Sequence, residues 1–284
     1  MEKRNIKKAF LFFALALAFS SCGKNSPTSA QDDTLDRIRR TGQIDVCVVV
    51  DPPYVIKDAK SGALRGEYPD AVNLIAKKMN AKVNWHETTY GNTIADLESR
   101  RCDVAAAYFS ALIPRALSIA YTTAPLAYSG DGVLVRKNDN RFSKIKGVFE
   151  FDKPDMKVTV ASGETGDLFV RDNFKHAQVR KIDVQSSDIS RFCVEVESGR
   201  ADVAIGGINA LEQYTKKHPE LIVLFREHPF NLNPIEWAVR QDDIKWLHFL
   251  DTALQFLDTQ GTLAALEKKY DIHQLHLVKQ YKLQ

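Results

Sequence analysis

An eight-residue segment occurs twice in this chain, as ESRRCDVA at 98–105 and as ESGRADVA at 197–204. Each copy follows a stretch of helical character and runs into an apolar stretch, AAAYF from Ala105 in the first case and IGGI in the second. Strand candidates lie upstream in corresponding places, at 82–85 and 181–184. Strand, helix, strand is the unit that generates parallel sheets, because a parallel neighbour needs a crossover long enough to hold a helix. A chain that carries this unit twice is held to an α/β architecture with two related halves.

The same rhythm persists on either side. Thr34 is placed to cap a helix that turns Leu35 and Ile38 inward, and Gly42 to end it. A strand is expected at 44–50, then a turn at Asp51-Pro52-Pro53. Asp70 opens a helix with Val72, Ile75, Ala76 and Met79 on one face. A strand at 158–161 runs into Gly163-Glu164-Thr165-Gly166, with a helix at 167–174. Late in the chain, Trp246, Leu247, Leu250, Leu254 and Leu257 form an apolar stripe, continued by Leu263, Leu266 and Tyr270, and such stripes face a core. The predicted fold is α/β and two-lobed, each lobe a mostly parallel sheet flanked by helices. Its ligand cleft lies between the lobes, where the strands end.

The charge balance narrows the partners. The whole chain carries +3, but residues 1–21 hold Lys3, Arg4, Lys7 and Lys8 against Glu2 alone. From Cys22 onward basic and acidic residues balance, so no surplus remains for nucleic acid. The opening itself reads as a signal peptide over 1–21: a basic start, an unbroken apolar run at 9–19, then Ser20, Ser21 and Cys22. That run is too short to span a bilayer comfortably. A cysteine after two small residues resembles the bacterial lipoprotein signal, although Phe19 stands where Leu is usual. The expectation is export to a periplasm or cell surface, with Cys22 lipidated and 22–33 as a polar tether. The cysteines Cys47, Cys102 and Cys193 have no metal-like spacing, and their odd number leaves a thiol or an intermolecular bridge. Cys47, within VCVVV, reads as a small buried hydrophobe. No metal or other cofactor is expected.

Two elements are suited to an anion. Pro114 belongs in the first turn of a helix, which sets Arg115 beside free backbone N–H groups as a carboxylate clamp. The turn at 163–166 offers backbone N–H groups from Gly163 onward, a second jaw for the same carboxylate.

From Thr34 to about Tyr270 the chain resembles the family 3 periplasmic solute-binding proteins, the polar amino-acid receptors of ABC importers. The resemblance runs through LDRIRRTGQIDV, DPPYVIKDAKSGALRGEYPDAVNLIAKKM, IADLESRRCDV, PRALSIAYTTAPL, ASGETGD, GRADVAIGG and IEWAVRQDD followed by LDTQGTLAALEKKY. It implies a first lobe over 34–128, a second over 129–230, and a return to the first over 231–284, with closure about two crossing strands. By position it makes Arg115 the carboxylate-binding residue, Ser110 a hydrogen-bonding partner in the first lobe and Thr165 one in the second. Tyr90 matches an aromatic that covers the ligand, and Asp51 a second wall position. The implied partners are a small carboxylate-bearing ligand, an ABC permease and the membrane through the lipid anchor, with the receptor a monomer.

One position departs from the pattern. Gly207 stands where amino-acid receptors of this kind usually have an Asp for the ligand's ammonium. Either Asp51 or Glu164 supplies that charge from another direction, or the ligand is a carboxylate without an α-amine. Cyclohexadienyl dehydratases also resemble these receptors, and KKHPELIVLFREHPFN is similar to their pattern. Their chemistry needs a general acid in the cleft, for which Glu164 and Glu212 are candidates.

Overall fold

The computed structural model describes residues 33–184 and 191–272. The segment expected to be a signal peptide, Cys22 and nearly all of the expected tether lie outside the described residues. Among those described, no helix is long and apolar enough to cross a membrane.

The first lobe opens with α1 (Thr34–Thr41), β1 (Gln43–Val48), a short hairpin of β2 (Ile56–Lys57) and β3 (Leu64–Arg65), and α2 (Glu67–Lys78). It continues with β4 (Lys82–Glu87), α3 (Thr93–Glu98), β5 (Val104–Ala105) and β6 (Ile119–Tyr121). The cap of α1 is Asp33, whose carboxylate accepts from the Leu35 N–H at 3.0 Å. Thr34 is instead buried, its hydroxyl donating to Asp243. A partner far along the chain thus overrides its local capping preference. Gly42 ends α1 at φ 67°, a left-handed conformation that suits glycine. The α2 helix starts three residues before Asp70, at Glu67, and buries Val72, Ile75 and Ala76.

The second lobe begins with the ten-residue β7 (Ala127–Arg136), then β8 (Lys157–Ala161), α4 (Thr165–Asn173) and β9 (Gln178–Ile182). It adds α5 (Arg191–Glu197), β10 (Val203–Gly207), α6 (Ile208–Thr215), β11 (Leu221–Leu224) and β12 (Phe230–Ile235). The chain then returns to the first sheet as β13 (Ala238–Arg240) and closes with α7 (Ile244–Thr259) and α8 (Thr262–Lys269). The sheet orders are β4-β1-β5-β13-β6 and β11-β7-β10-β8-β9, with β12 also paired to β7. Two connections join the sheets, and they run side by side. Ala127 pairs with Ile235, Tyr128 with Pro234 and Ser129 with Asn233.

The repeat has a physical meaning. In both sheets a central strand lies between two parallel neighbours, β4-β1-β5 in one and β9-β8-β10 in the other. The helix of each repeated segment, α3 or α5, leads into the inner neighbour, β5 or β10. The repeated aspartate does the same work twice. Asp103 donates its N–H to the Asp45 carbonyl at 2.7 Å and accepts the Asp45 N–H on its carboxylate at 2.9 Å. Asp202 does the same with Lys157, at 2.8 and 2.9 Å. The motif therefore ties the start of one strand to its parallel neighbour in each lobe. The strand expected at 181–184 lies slightly earlier, as β9.

Cys47 is not a solitary hydrophobe. It forms a disulfide with Cys102, their Cα atoms 5.5 Å apart, and so links β1 to the segment entering β5. Cys193 lies buried in the second lobe. The first-lobe core gathers Val46, Val48, Val104, Trp237, Trp246 and Leu250, with the predicted stripe of α7 facing it. The second lobe packs Val133, Val158, Val160, Val203 and Ile205 over one face of its sheet.

Candidate functional site

A cavity of about 470 Å³ lies between the two sheets. First-lobe residues on its wall include Asp51, Tyr90, Tyr108, Phe109, Ser110 and Arg115, and the second lobe contributes Ser129, Glu164, Thr165, Gly166, Gly207 and Asn209. Of the predicted residues, Asp51, Tyr90, Ser110, Arg115, Glu164 and Thr165 meet here. Gly163 stands just behind the wall, its carbonyl facing Arg115 Nη2 at 3.4 Å.

Arg115 arrives differently from the expectation. Pro114 starts a single 3₁₀ turn, Arg115–Leu117, rather than an α-helix. The N–H groups of Arg115 and Ala116 both donate to the Leu112 carbonyl at 3.0 Å, so neither is free for an anion. Beside the Gly163 carbonyl, the guanidinium is held by three further contacts. It lies 4.4 Å from the centre of the buried Phe109 ring, Nη1 donates to the Ser110 carbonyl at 3.3 Å, and Nη2 meets Glu164 Oε1 at 3.5 Å. The Phe109 ring gives the cation a π face to rest on, and Arg115 lines the cavity beside it.

The turn at 163–166 is also less open than expected. The Gly163 N–H donates to the Asp167 carboxylate at 3.0 Å, and the Glu164 N–H to the Ala161 carbonyl at 3.2 Å. The Thr165 hydroxyl donates to Asp131 Oδ1 at 2.6 Å. Gly166 lets α4 approach β10 closely, since a Cβ there would lie 2.4 Å from the Ile205 carbonyl oxygen. That close packing sets Thr165, the first residue of α4, on the cavity wall.

Tyr90 lines the cavity with its ring parallel to Phe109 at 6.2 Å and donates its hydroxyl to Asp51 Oδ2 at 2.8 Å. Burial pushes the Asp51 carboxyl up to about 6, and the Tyr90 hydrogen bond opposes the shift. Asp131, at the far side of Thr165, is also pushed up to about 6 by burial, against hydrogen bonds from Asn231 and Thr165. Glu212, a candidate acid, does not line the cavity and pairs with Arg226.

Further residues complete the wall. Asn209 Nδ2 reaches across to the hydroxyls of Tyr54 and Tyr108, each at 2.7 Å, and those two rings stack at 4.1 Å. Gln213 donates to the Pro52 carbonyl from the second lobe. Tyr108 and Phe109 follow β5, the place where a parallel sheet delivers ligand-facing loops. Asp131 also carried a signal, an acid in the middle of the apolar strand AYSGDGVLVR.

Residues 44–273 match the bacterial extracellular solute-binding proteins, family 3. The chain belongs to that family. This solute-binding protein is 23% identical over 259 residues to a probable amino-acid-binding protein, YxeM, of Bacillus subtilis, covering 90% of this chain and 91% of the relative. It is 24% identical to a cyclohexadienyl dehydratase of Pseudomonas aeruginosa, over 86% of this chain and 91% of that one. Among solved structures, an ancestral amino acid-binding protein described as a precursor of cyclohexadienyl dehydratase superimposes with a TM-score of 0.70. The two are 26% identical, over 84% of this chain and 99% of the other. The two-lobed α/β fold of this solute-binding protein is thus the fold of its relatives.

Proposed function

We propose that this chain is the extracytoplasmic receptor of an ABC importer, binding an amino acid or a related small carboxylate between its lobes and delivering it to a permease. The observation that carries this reading is the cavity shared by both sheets, with the Arg115 guanidinium over Phe109 at its wall. The planar fork of an arginine binds a carboxylate through two parallel hydrogen bonds. Closure turns about the paired strands β7 and β12, the connections between the sheets, with lobes near 34–128 with 231–284 and 129–230. Ser110, Tyr90 and Asp51 form the first-lobe contacts, and Glu164 and Thr165 the second-lobe ones. The receptor is exported, held at the membrane through Cys22, works as a monomer and needs no cofactor. A thermal-shift panel of amino acids, amines and organic acids tests the reading, because binding raises stability by mass action. No stabilisation by any carboxylate would overturn it.

The dehydratase relative keeps one alternative in view: turnover of a cyclohexadienyl acid in the same cavity. Asp51 is the acid favoured for that role, since its raised pKa of about 6 suits a proton donor near neutral pH. Incubation of the purified protein with prephenate or arogenate separates the two, and absence of product removes the enzyme reading.

A further inference from the structure

The turn that follows α6 brings three metal-ligating side chains together on the second lobe, apart from Arg115 and its partners. His218 and Glu220 lie on the turn between α6 and β11, and Glu197 is the last residue of α5. His218 Nδ1 is 3.2 Å from Glu197 Oε1 and 3.4 Å from Glu220 Oε1. One donor atom from each residue can be taken so that all three lie within 4.8 Å of one another. Both glutamates are exposed and the histidine is half-buried, so the group is open to solution.

Those separations have the size that a metal requires. Ligands about 2.0–2.1 Å from a tetrahedral zinc lie about 3.3–3.4 Å from each other. The two histidine–glutamate contacts match two edges of such a tetrahedron. An imidazolium would also attract both glutamates, but its single Nδ1–H points in one direction and two carboxylates compete for it. A metal ion on the Nδ1 lone pair bonds to both carboxylates at once, with the ring proton kept on Nε2. One imidazole and two carboxylates suit zinc-class ions, whereas magnesium and calcium take oxygen ligands.

The ligands are also held from behind. The Tyr214 ring stacks on the His218 ring, with centroids 4.0 Å apart and planes 8° from parallel. Its hydroxyl donates to Glu197 Oε2, which leaves Oε1 as the oxygen facing His218. Metal-ligating carboxylates are oriented by a second hydrogen bond of this kind. Pro219 stiffens the turn, and the backbone closes it on both sides. The His218 N–H donates to the Thr215 carbonyl at 3.2 Å, and the Leu221 N–H to the His218 carbonyl at 3.1 Å. The group contains no cysteine, so cysteine spacing carries no sign of it.

We propose that Glu197, His218 and Glu220 form a site for a zinc-class metal ion on the second lobe, with Tyr214 as its positioning residue. Bound there, the ion ties the end of α5 to the turn between α6 and β11. Asn209 and Gln213, which reach the first lobe, sit on the same α6. The ion thus steadies the helix that presents those contacts.

Calorimetry of the full chain, freed of metal with a chelator and titrated with zinc chloride, tests the proposal. One zinc per chain is expected, with no such binding of magnesium or calcium chloride, and the melting temperature should rise with zinc concentration. His218→Ala is expected to lower the affinity at least 100-fold and Glu220→Gln at least tenfold. Glu220 is exposed, so the metal-free Glu220→Gln protein should melt with the unaltered one, which separates lost binding from lost folding. Tyr214→Phe keeps the ring and loses the hydroxyl, and about a tenfold loss is expected. With cobalt(II) as the probe, Tyr214→Phe should also shift the visible spectrum of the bound metal. An unchanged affinity and spectrum in that variant would overturn the role of Tyr214. Absence of zinc binding would overturn the site, as would zinc binding that survives both His218→Ala and Glu220→Gln. Calcium or magnesium binding as tight as that of zinc would overturn the assigned class of ion.

Discussion

Arg115 and Glu164 face each other across the cleft, Nη2 to Oε1 at 3.5 Å, each carried by a different lobe. The pair gives Arg115 a carboxylate from its own chain at the place where a ligand carboxylate would lie. Under the proposed receptor function a ligand carboxylate must do better than Glu164, and the pair itself gives the two lobes an attraction.

Replacing Arg115 with Ala removes the fork and the cation over Phe109. Affinity for the preferred carboxylate ligand is expected to fall by roughly 100-fold or more, about 3 kcal/mol. The melting temperature without ligand should change little, because Arg115 packs on the cleft wall rather than in either core. Calorimetry beside a thermal melt checks both halves; unchanged affinity would remove Arg115 from the site.

Glu164→Gln should act in the opposite sense. Without its charge the competitor for Arg115 is weaker, and plain carboxylic acids are expected to bind about 3–10-fold more tightly. Weaker binding of such acids would show that Glu164 assists rather than competes.

The Cys47–Cys102 bridge spans 55 positions of sequence and links β1 to the entry of β5. Replacing both cysteines with Ala is expected to cost about 2–4 kcal/mol, mostly by freeing the unfolded chain. Denaturant titration with and without the bridge measures the difference. Equal midpoints would mean that the bridge contributes nothing to stability.

Burial and the nearby Asp251 push Glu236 up from its ordinary 4.5 to about 7. Between those values the folded protein holds a proton that the unfolded chain has released, so this group makes stability fall as pH rises through that window. The effect is complete above the folded value and absent below 4.5. Glu236→Gln should remove the slope and stabilise the protein at about pH 8 by on the order of 1 kcal/mol, with no gain in acid. A gain that does not vary with pH would point to packing instead.

The repeated aspartates provide a comparison within one molecule. Asp103 also faces the buried Arg240 at 3.5 Å and forms an ion pair with Arg37, whereas Asp202 pairs with the exposed Arg141 at 2.7 Å. Truncation to Ala is expected to cost about 3 kcal/mol at Asp103, where a buried cation loses a partner, and about 1 kcal/mol at Asp202. Equal losses would mean that the shared strand tie sets the cost at both sites.

The repeat made the α/β halves legible, because a short motif that ties one strand to its parallel neighbour leaves the same residues wherever it occurs. The apolar stripe of α7 was legible for a similar reason, since burial along a helix imposes its own spacing. Distant partners were harder to read. Thr34 carries a good capping side chain, yet Asp243 takes its hydroxyl. Thr165 carries a good donor, yet Asp131, 34 residues upstream, takes its proton. Cys47 found Cys102 only because β1 and β5 are neighbours. The cleft residues could be named singly, but the direction of each hydrogen bond depended on contacts that no local pattern records.

The pairing of Ala127 with Ile235 has a consequence for the rest of the chain. The segment between them leaves the first sheet and re-enters it one strand spacing away, about 5 Å. Joined there by a brief turn, the flanking strands β6 and β13 would still meet as the antiparallel neighbours they already are. The second lobe is thus a cassette with both ends at one doorway, and another cassette could be exchanged there without rethreading the host.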